Sequence, residues 1–159
     1  MTSQVLRKQT SAVLSFVALL RAHASATREL SGQLNGEHGL TISDYEVLLL
    51  LSRAPDRRMR RVDLAEQILL TASGITRLLD GLERSGLVER ASCSEDRRVV
   101  YAVLTDAGLA KVREASGTHI AQIEQFFGRR YDERELEQLA SLLARIGGGE
   151  TADCAPPAQ

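Results

Sequence analysis

The sequence predicts a mainly α-helical fold carrying one small β-hairpin. Three observations predict it. Apolar residues recur every three and four positions along most of the chain, which is the helical period. Aromatics make up only 4% and tryptophan is absent, so the core must be assembled from Leu, Val, Ile and Ala, a composition that favours helices. One stretch departs from the period. Residues 92–105, SCSEDRRVVYAVLT, crowd polar and charged side chains ahead of an almost unbroken apolar run, as an exposed hairpin tip leading into a buried strand would.

The elements follow in order. Residues 4–34 read as a long first helix, with Val13, Phe16, Val17 and Leu20 on one stripe and the NGEHG run at 35–39 breaking it. Ser43 and Glu46 have the spacing of a capping box, so a second helix is expected from Ser43 until Pro55 ends it. The basic DRRMRR connector has room for a short strand around Met59–Arg60. VDLAEQIL is a short third helix, with Asp63 as its candidate cap. Thr71 caps a fourth, and Gly86 stops it. LVER and RVVYAVLT are the hairpin strands. Thr105 caps a fifth helix that runs to about Phe127. Asp132 starts a sixth, with Leu136, Leu139, Leu143 and Ile146 at helical spacing. Residues 148–159 are a Gly/Pro tail expected to be disordered.

The charge is uneven. The net charge is −1, yet residues 53–98 carry ten arginines against eight carboxylates. Only Lys8 and Lys111 are lysine. Arginine suits forked contacts to phosphate and guanine, although a GC-rich gene would produce the same bias. The apolar stretch near the N-terminus is cut short by Arg21 and His23, too soon for a membrane span or a signal peptide. Two cysteines make no disulfide framework, and a cytoplasmic location is expected. The three histidines are scattered without metal-ligand spacing, and no nucleophile elbow, phosphate loop or dinucleotide glycine pattern occurs. No cofactor, no metal and no catalysis are expected.

Residues 62–84 then read as a helix–turn–helix and 87–104 as a wing. The fourth helix divides cleanly. Ile75, Leu78, Leu79 and Leu82 face inward, while Ser73, Thr76, Arg77 and Asp80 face out. Small hydroxyls and one arginine at a helix start suit a DNA major groove. Singly, each is as readily a cap or a solvated charge; the ordered set is far more specific. The first, fifth and sixth helices carry apolar stripes that the compact middle module leaves without a partner.

DYEVLLLLSRAP, LAEQILLTASGITRLLDGLERSGLVER and EDRRVVYAVLTDAG together resemble the MarR family of winged helix–turn–helix transcription regulators, over roughly residues 10–146. The last segment holds that family's wing signature, here Asp96, Arg98, Leu104 and Thr105. The resemblance implies a homodimer on double-stranded DNA with a pseudo-palindromic operator. Residues 1–36 and 105–147 would form the helical dimerisation region and 40–104 the winged helix–turn–helix. Thr71, Ser73, Thr76 and Arg77 would meet the major groove, Arg98 the minor groove and Arg97 a phosphate, with Asp96 anchoring the wing turn. The third helix of the family often begins with Ser or Thr where this chain has Val62, which puts that boundary in doubt.

The resemblance also implies a repressor released by a small phenolic or lipophilic effector. His23, Arg28 and Tyr45 are the candidates to line its pocket, although each also reads as an ordinary surface or core residue. Some relatives sense oxidants through cysteine. Cys93 has Arg90 and Arg97 nearby to activate it, but Glu95 and Asp96 oppose them, so a redox thiol and a tolerated surface thiol both stay open. A winged helix that binds protein instead of DNA is the remaining alternative.

Overall fold

The computed structural model describes residues 10–92 and 99–147. Helix α1 spans Ser11–His38, α2 Ile42–Arg53, α3 Arg61–Gln67, α4 Ala72–Arg84, α5 Asp106–Gly128 and α6 Glu133–Gly147. A single 3-10 turn at Pro55–Arg57 precedes strand β1 (Arg58–Arg60), and β2 (Val88–Ser92) and β3 (Val100–Leu104) form the hairpin. The sheet is antiparallel in the order β1-β3-β2, with Met59 opposite Ala102 and Arg90 opposite the same residue from the other side. The expected mainly helical fold with a small wing is therefore the observed one. The short strand foreseen in the basic connector extends the hairpin to three strands.

Three helix boundaries differ from the sequence expectation. The NGEHG run does not break α1. The helix continues because Leu30, Leu34 and His38, four apart, are all buried on one stripe. It ends one residue later, where Gly39 adopts a left-handed conformation (φ +68°) and donates its N–H to the Asn35 carbonyl. Helix α2 starts at Ile42, and its cap is Thr41, two residues before the expected Ser43. Thr41 Oγ1 accepts the Asp44 N–H at 3.1 Å, and the Asp44 carboxylate accepts the Thr41 N–H at 2.9 Å. Aspartate thus closes the box that the sequence reading assigned to Glu46. Asp63 does not cap α3 either. It lies in the first turn, and both its oxygens accept from the Arg60 guanidinium at 2.7 Å. The other caps are as expected: Thr71 accepts from Gly74 N–H at 3.1 Å, Thr105 from Gly108 N–H at 2.9 Å, and Asp132 from Glu135 N–H at 2.9 Å.

One core joins α2, α3, α4, the sheet and α5, built on Leu48, Leu51, Leu64, Ile75, Val88 and Val112. The hairpin is bolted to α5 at a single close approach. Thr105 Oγ1 donates to the Gly86 carbonyl at 2.7 Å, and its N–H donates to the Leu87 carbonyl at 3.2 Å. One turn on, Gly108 lies so near that a Cβ there would fall 2.1 Å from the Leu87 oxygen. Only glycine fits.

A second, polar contact joins α1 and α2 to α5. The Tyr45 hydroxyl and Ser116 Oγ are 3.0 Å apart, and Ser116 in turn donates to the Val112 carbonyl. His38 Nε2 lies 2.6 Å from Thr118 Oγ1. His119 is buried with its ring edge-on to Tyr45, 4.9 Å between centroids. Burial, reinforced by His38, holds the His119 imidazole below its ordinary pKa. Its Nδ1 has no hydrogen-bond partner among the described residues.

The N-terminal half of α1 and the end of α6 turn apolar side chains outward. Phe16 is 60% exposed and Ile146 73%. No helix among the described residues is long and apolar enough to cross a membrane.

Two outcomes are expected. Gly108→Ala must push α5 off the β2 entry. It should cost about 3 kcal/mol, at the upper end of overpacking penalties, read as a lowered denaturation midpoint. His119 has a folded pKa below its unfolded value near 6.5, so its neutral form contributes stability that is complete above that pH and is lost as pH falls through it. Chemical denaturation at a series of pH values should show stability declining below about 6.5, and His119→Phe should flatten that part of the curve.

Candidate nucleic-acid interface

The outward surface of α3, the turn after it, α4 and β2 forms one continuous face. Between α3 and α4 the chain reverses at Leu69, which takes a left-handed conformation (φ +54°) and is almost fully exposed. Helix α4 then begins at Thr71. Its inner stripe is buried at Ile75, Leu79 and Leu82, with Leu78 partly buried, as the sequence pattern required. That burial fixes which side chains point away from the core.

Of the four α4 residues predicted to face DNA, Thr71, Ser73 and Arg77 are exposed and Thr76 is half-buried. All three hydroxyls are already engaged at the helix start. Thr71 Oγ1 caps Gly74 and lies 3.2 Å from Ser73 Oγ. Thr76 Oγ1 donates back to the Ala72 carbonyl at 2.8 Å and accepts from Arg61 Nη1 at 3.3 Å. Arg77 has no ion-pair partner among the described residues and stands at the rim of an open groove shared with Asp80, Glu83 and Arg84. Predicted residues Asp96, Arg97 and Arg98, and Cys93 with them, lie outside the described residues.

Two arginines that the sequence reading did not assign to the face belong to it. Arg61, at the start of α3, reaches Thr76. Arg90, on β2, reaches α4: its guanidinium pairs with the Asp80 carboxylate and sits 3.2 Å from Glu83 Oε2. The sequence offered Asp80 as an outward residue but gave no sign of its partner, because the contact spans ten residues and depends on how the hairpin folds back over the helix. A third cation, Arg58 on β1, stacks over the Tyr101 ring at 5.2 Å.

The three candidates for an effector pocket are not drawn together in this way. Tyr45 is buried with its hydroxyl on Ser116, whereas His23 and Arg28 are exposed along α1. Among the described residues no group of three or more His, Cys, Asp or Glu is arranged to hold a metal ion.

A helix–turn–helix with a three-stranded wing at its side, flanked by long terminal helices, defines the class: a winged helix–turn–helix protein. Comparison with known proteins narrows it. Residues 38–99 match the family model described as MarR family. The HTH-type transcriptional regulator MhqR of Bacillus subtilis is 30% identical over 132 residues, covering 83% of this chain and 88% of that protein. The HTH-type transcriptional repressor YetL of the same organism is 32% identical over 108 residues, 68% of this chain and 64% of its own length. Among solved structures, the MarR family regulator Sco3205 of Streptomyces coelicolor, determined in complex with DNA, superposes with a TM-score of 0.81 at 26% identity, over 92% of this chain and 94% of that one. AbsC of the same organism gives 0.74 at 32% identity, over 89% and 96%. The chain belongs to the MarR family, whose members here are transcription regulators and not enzymes.

Proposed function

We propose that this protein is a dimeric, sequence-specific DNA-binding repressor, released from its operator by a small phenolic or lipophilic effector. The observation that carries the DNA-binding reading is the start of α4. Its hydroxyls and Arg77 face outward while Ile75, Leu79 and Leu82 lock the opposite stripe into the core. A helix presented this way enters a major groove with its N-terminal residues against the base edges. Arg77 is the side chain with the reach and the fork to read guanine. The hairpin tip with Arg97 and Arg98 is assigned to the flanking minor groove and backbone. The DNA-bound state of Sco3205 supports the reading by likeness of fold, and the naming of YetL as a repressor supports the sign of the regulation.

The dimer reading rests on exposed apolar surface. Val13, Leu14, Phe16 and Leu20 on α1 and Leu142, Leu143 and Ile146 on α6 are each at least 40% exposed in the single chain. Apolar side chains at this density on two helices mark an interface. A second copy covering them would set two α4 helices side by side, which requires an operator of two inverted half-sites. For the effector, the junction of α1, α2 and α5 around Tyr45 is the assigned region; His23 and Arg28, exposed along α1, stay candidates apart from it. Cys93 is retained as a secondary redox candidate.

Gel-shift titrations over a salt series, on duplexes selected from random DNA, test the reading. Arg77→Ala should weaken specific binding by about ten- to a hundredfold and relax base preference, the expected effect of losing one forked base contact. Arg98→Ala should weaken binding and flatten the salt dependence by roughly one unit of slope, as for one lost phosphate-region cation. Equal affinity of both variants and the parent would refute the interface. Replacing Phe16 and Leu20 together by Asp should convert the dimer to monomer in sedimentation and abolish operator binding; a variant that stays dimeric would place the interface elsewhere.

A further inference from the structure

Helix α4 carries charges of both signs on its outward groove: Arg77 and Arg84 against Asp80 and Glu83. Taken alone, this surface is electrically neutral, a poor match for a lattice of phosphates. The chain does not leave it alone. Arg90, projecting from β2, lays its guanidinium across both carboxylates, with Nη2 on Asp80 and Nε 3.2 Å from Glu83. Arg84 instead donates from Nε to the Asp80 backbone carbonyl at 3.2 Å.

The contact is at the surface. The Arg90 side chain is 35% exposed, Asp80 47% and Glu83 43%. Pairs this accessible contribute little to folding stability. Their effect is on the field of the face. With Arg90 in place, the groove and its partner carry a net charge of +1 instead of zero. The contact reaches the middle of α4 from β2, the strand that leads to the wing tip.

We propose that Arg90 is a positioning residue for DNA binding: it masks the charges of Asp80 and Glu83 on the recognition helix, without itself contacting phosphate. This rests on the reading of α4 as the DNA-contacting helix. It predicts that the damage of removing Arg90 comes from the carboxylates it uncovers, and that removing those carboxylates as well repairs it.

The test uses the full-length protein and a fluorescent duplex carrying a selected operator, measured by anisotropy over a salt series, with thermal melts of every variant. Arg90→Gln should melt close to the parent and bind about tenfold more weakly, from two uncovered charges facing the phosphates. Adding Asp80→Asn and Glu83→Gln to Arg90→Gln should return affinity to within about threefold of the parent. Arg90→Lys, which keeps the charge but loses the fork, should fall between. The Asp80→Asn, Glu83→Gln protein with Arg90 intact should bind at least as tightly as the parent, an arm that stands even if Arg90→Gln fails to fold. A triple variant as weak as Arg90→Gln, with a salt slope reduced by about one, would show that Arg90 contacts phosphate directly and overturn the proposal. So would an Arg90→Gln protein that binds like the parent, or a double carboxylate variant that binds more weakly. A parent that selects no DNA at all would instead overturn the DNA-binding reading beneath it.

Discussion

The orientation of every functional element depends on one close contact, where α5 meets the entrance of β2. Thr105 caps α5 with its side chain and spends the same hydroxyl's proton on the Gly86 carbonyl, while Gly108 lets the helix backbone come against the Leu87 oxygen. Gly86, in a left-handed conformation, is the stop of α4. The end of α4, the hairpin and α5 therefore meet within a few ångströms and share hydrogen bonds. The same α5 carries Ser116, Thr118 and His119, so the polar α1–α2–α5 junction and the root of the wing are borne on one helix.

That junction has a chemistry of its own. The hydroxyls of Tyr45 and Ser116 satisfy each other, and His38 is bonded to Thr118, while burial and the neighbouring His38 hold the His119 imidazole below its ordinary pKa. Buried polar groups with unpaired atoms are costly unless something compensates. Here they sit where the helices flanking the winged module touch it, rather than in the centre of the winged module's core. The joint is the polar part of an interior otherwise built mainly from aliphatic side chains.

Much of this was legible in the sequence. Thr71, Thr105 and Asp132 act as caps because a short oxygen-bearing side chain before an apolar period has little else to do, and Gly86 stops α4 for the complementary reason. The inner stripe of α4 followed directly from three- and four-residue spacing. The misplaced boundaries share a cause. Local signals competed and tertiary burial chose between them: Leu34 and His38 carried α1 through a run of weak helix formers, Thr41 with Asp44 outcompeted Ser43 with Glu46, and Arg60 captured the carboxylate of Asp63. Arg61 and Arg90 were overlooked as members of the α4 face for a different reason. Their partners, Thr76 and Asp80, are brought to them only by the packing of α3 and the hairpin on α4, a relation that no periodicity encodes. The exposed Phe16 and Ile146 lie on the stripes that the sequence already left without a partner in the compact middle module, but a stripe on a helix does not say what it will be buried against.

The central claim is that two copies of this chain hold two α4 helices at a fixed separation matched to successive major grooves. Spacing is its most direct measure. Once an operator has been selected from random DNA, five base pairs, about half a helical turn, are inserted between its half-sites and the affinity is measured again. A rigidly joined dimer should lose about a hundredfold or more, because the second α4 would face the wrong side of the duplex and only single-site contacts would remain. Unchanged affinity for the lengthened operator would contradict the account.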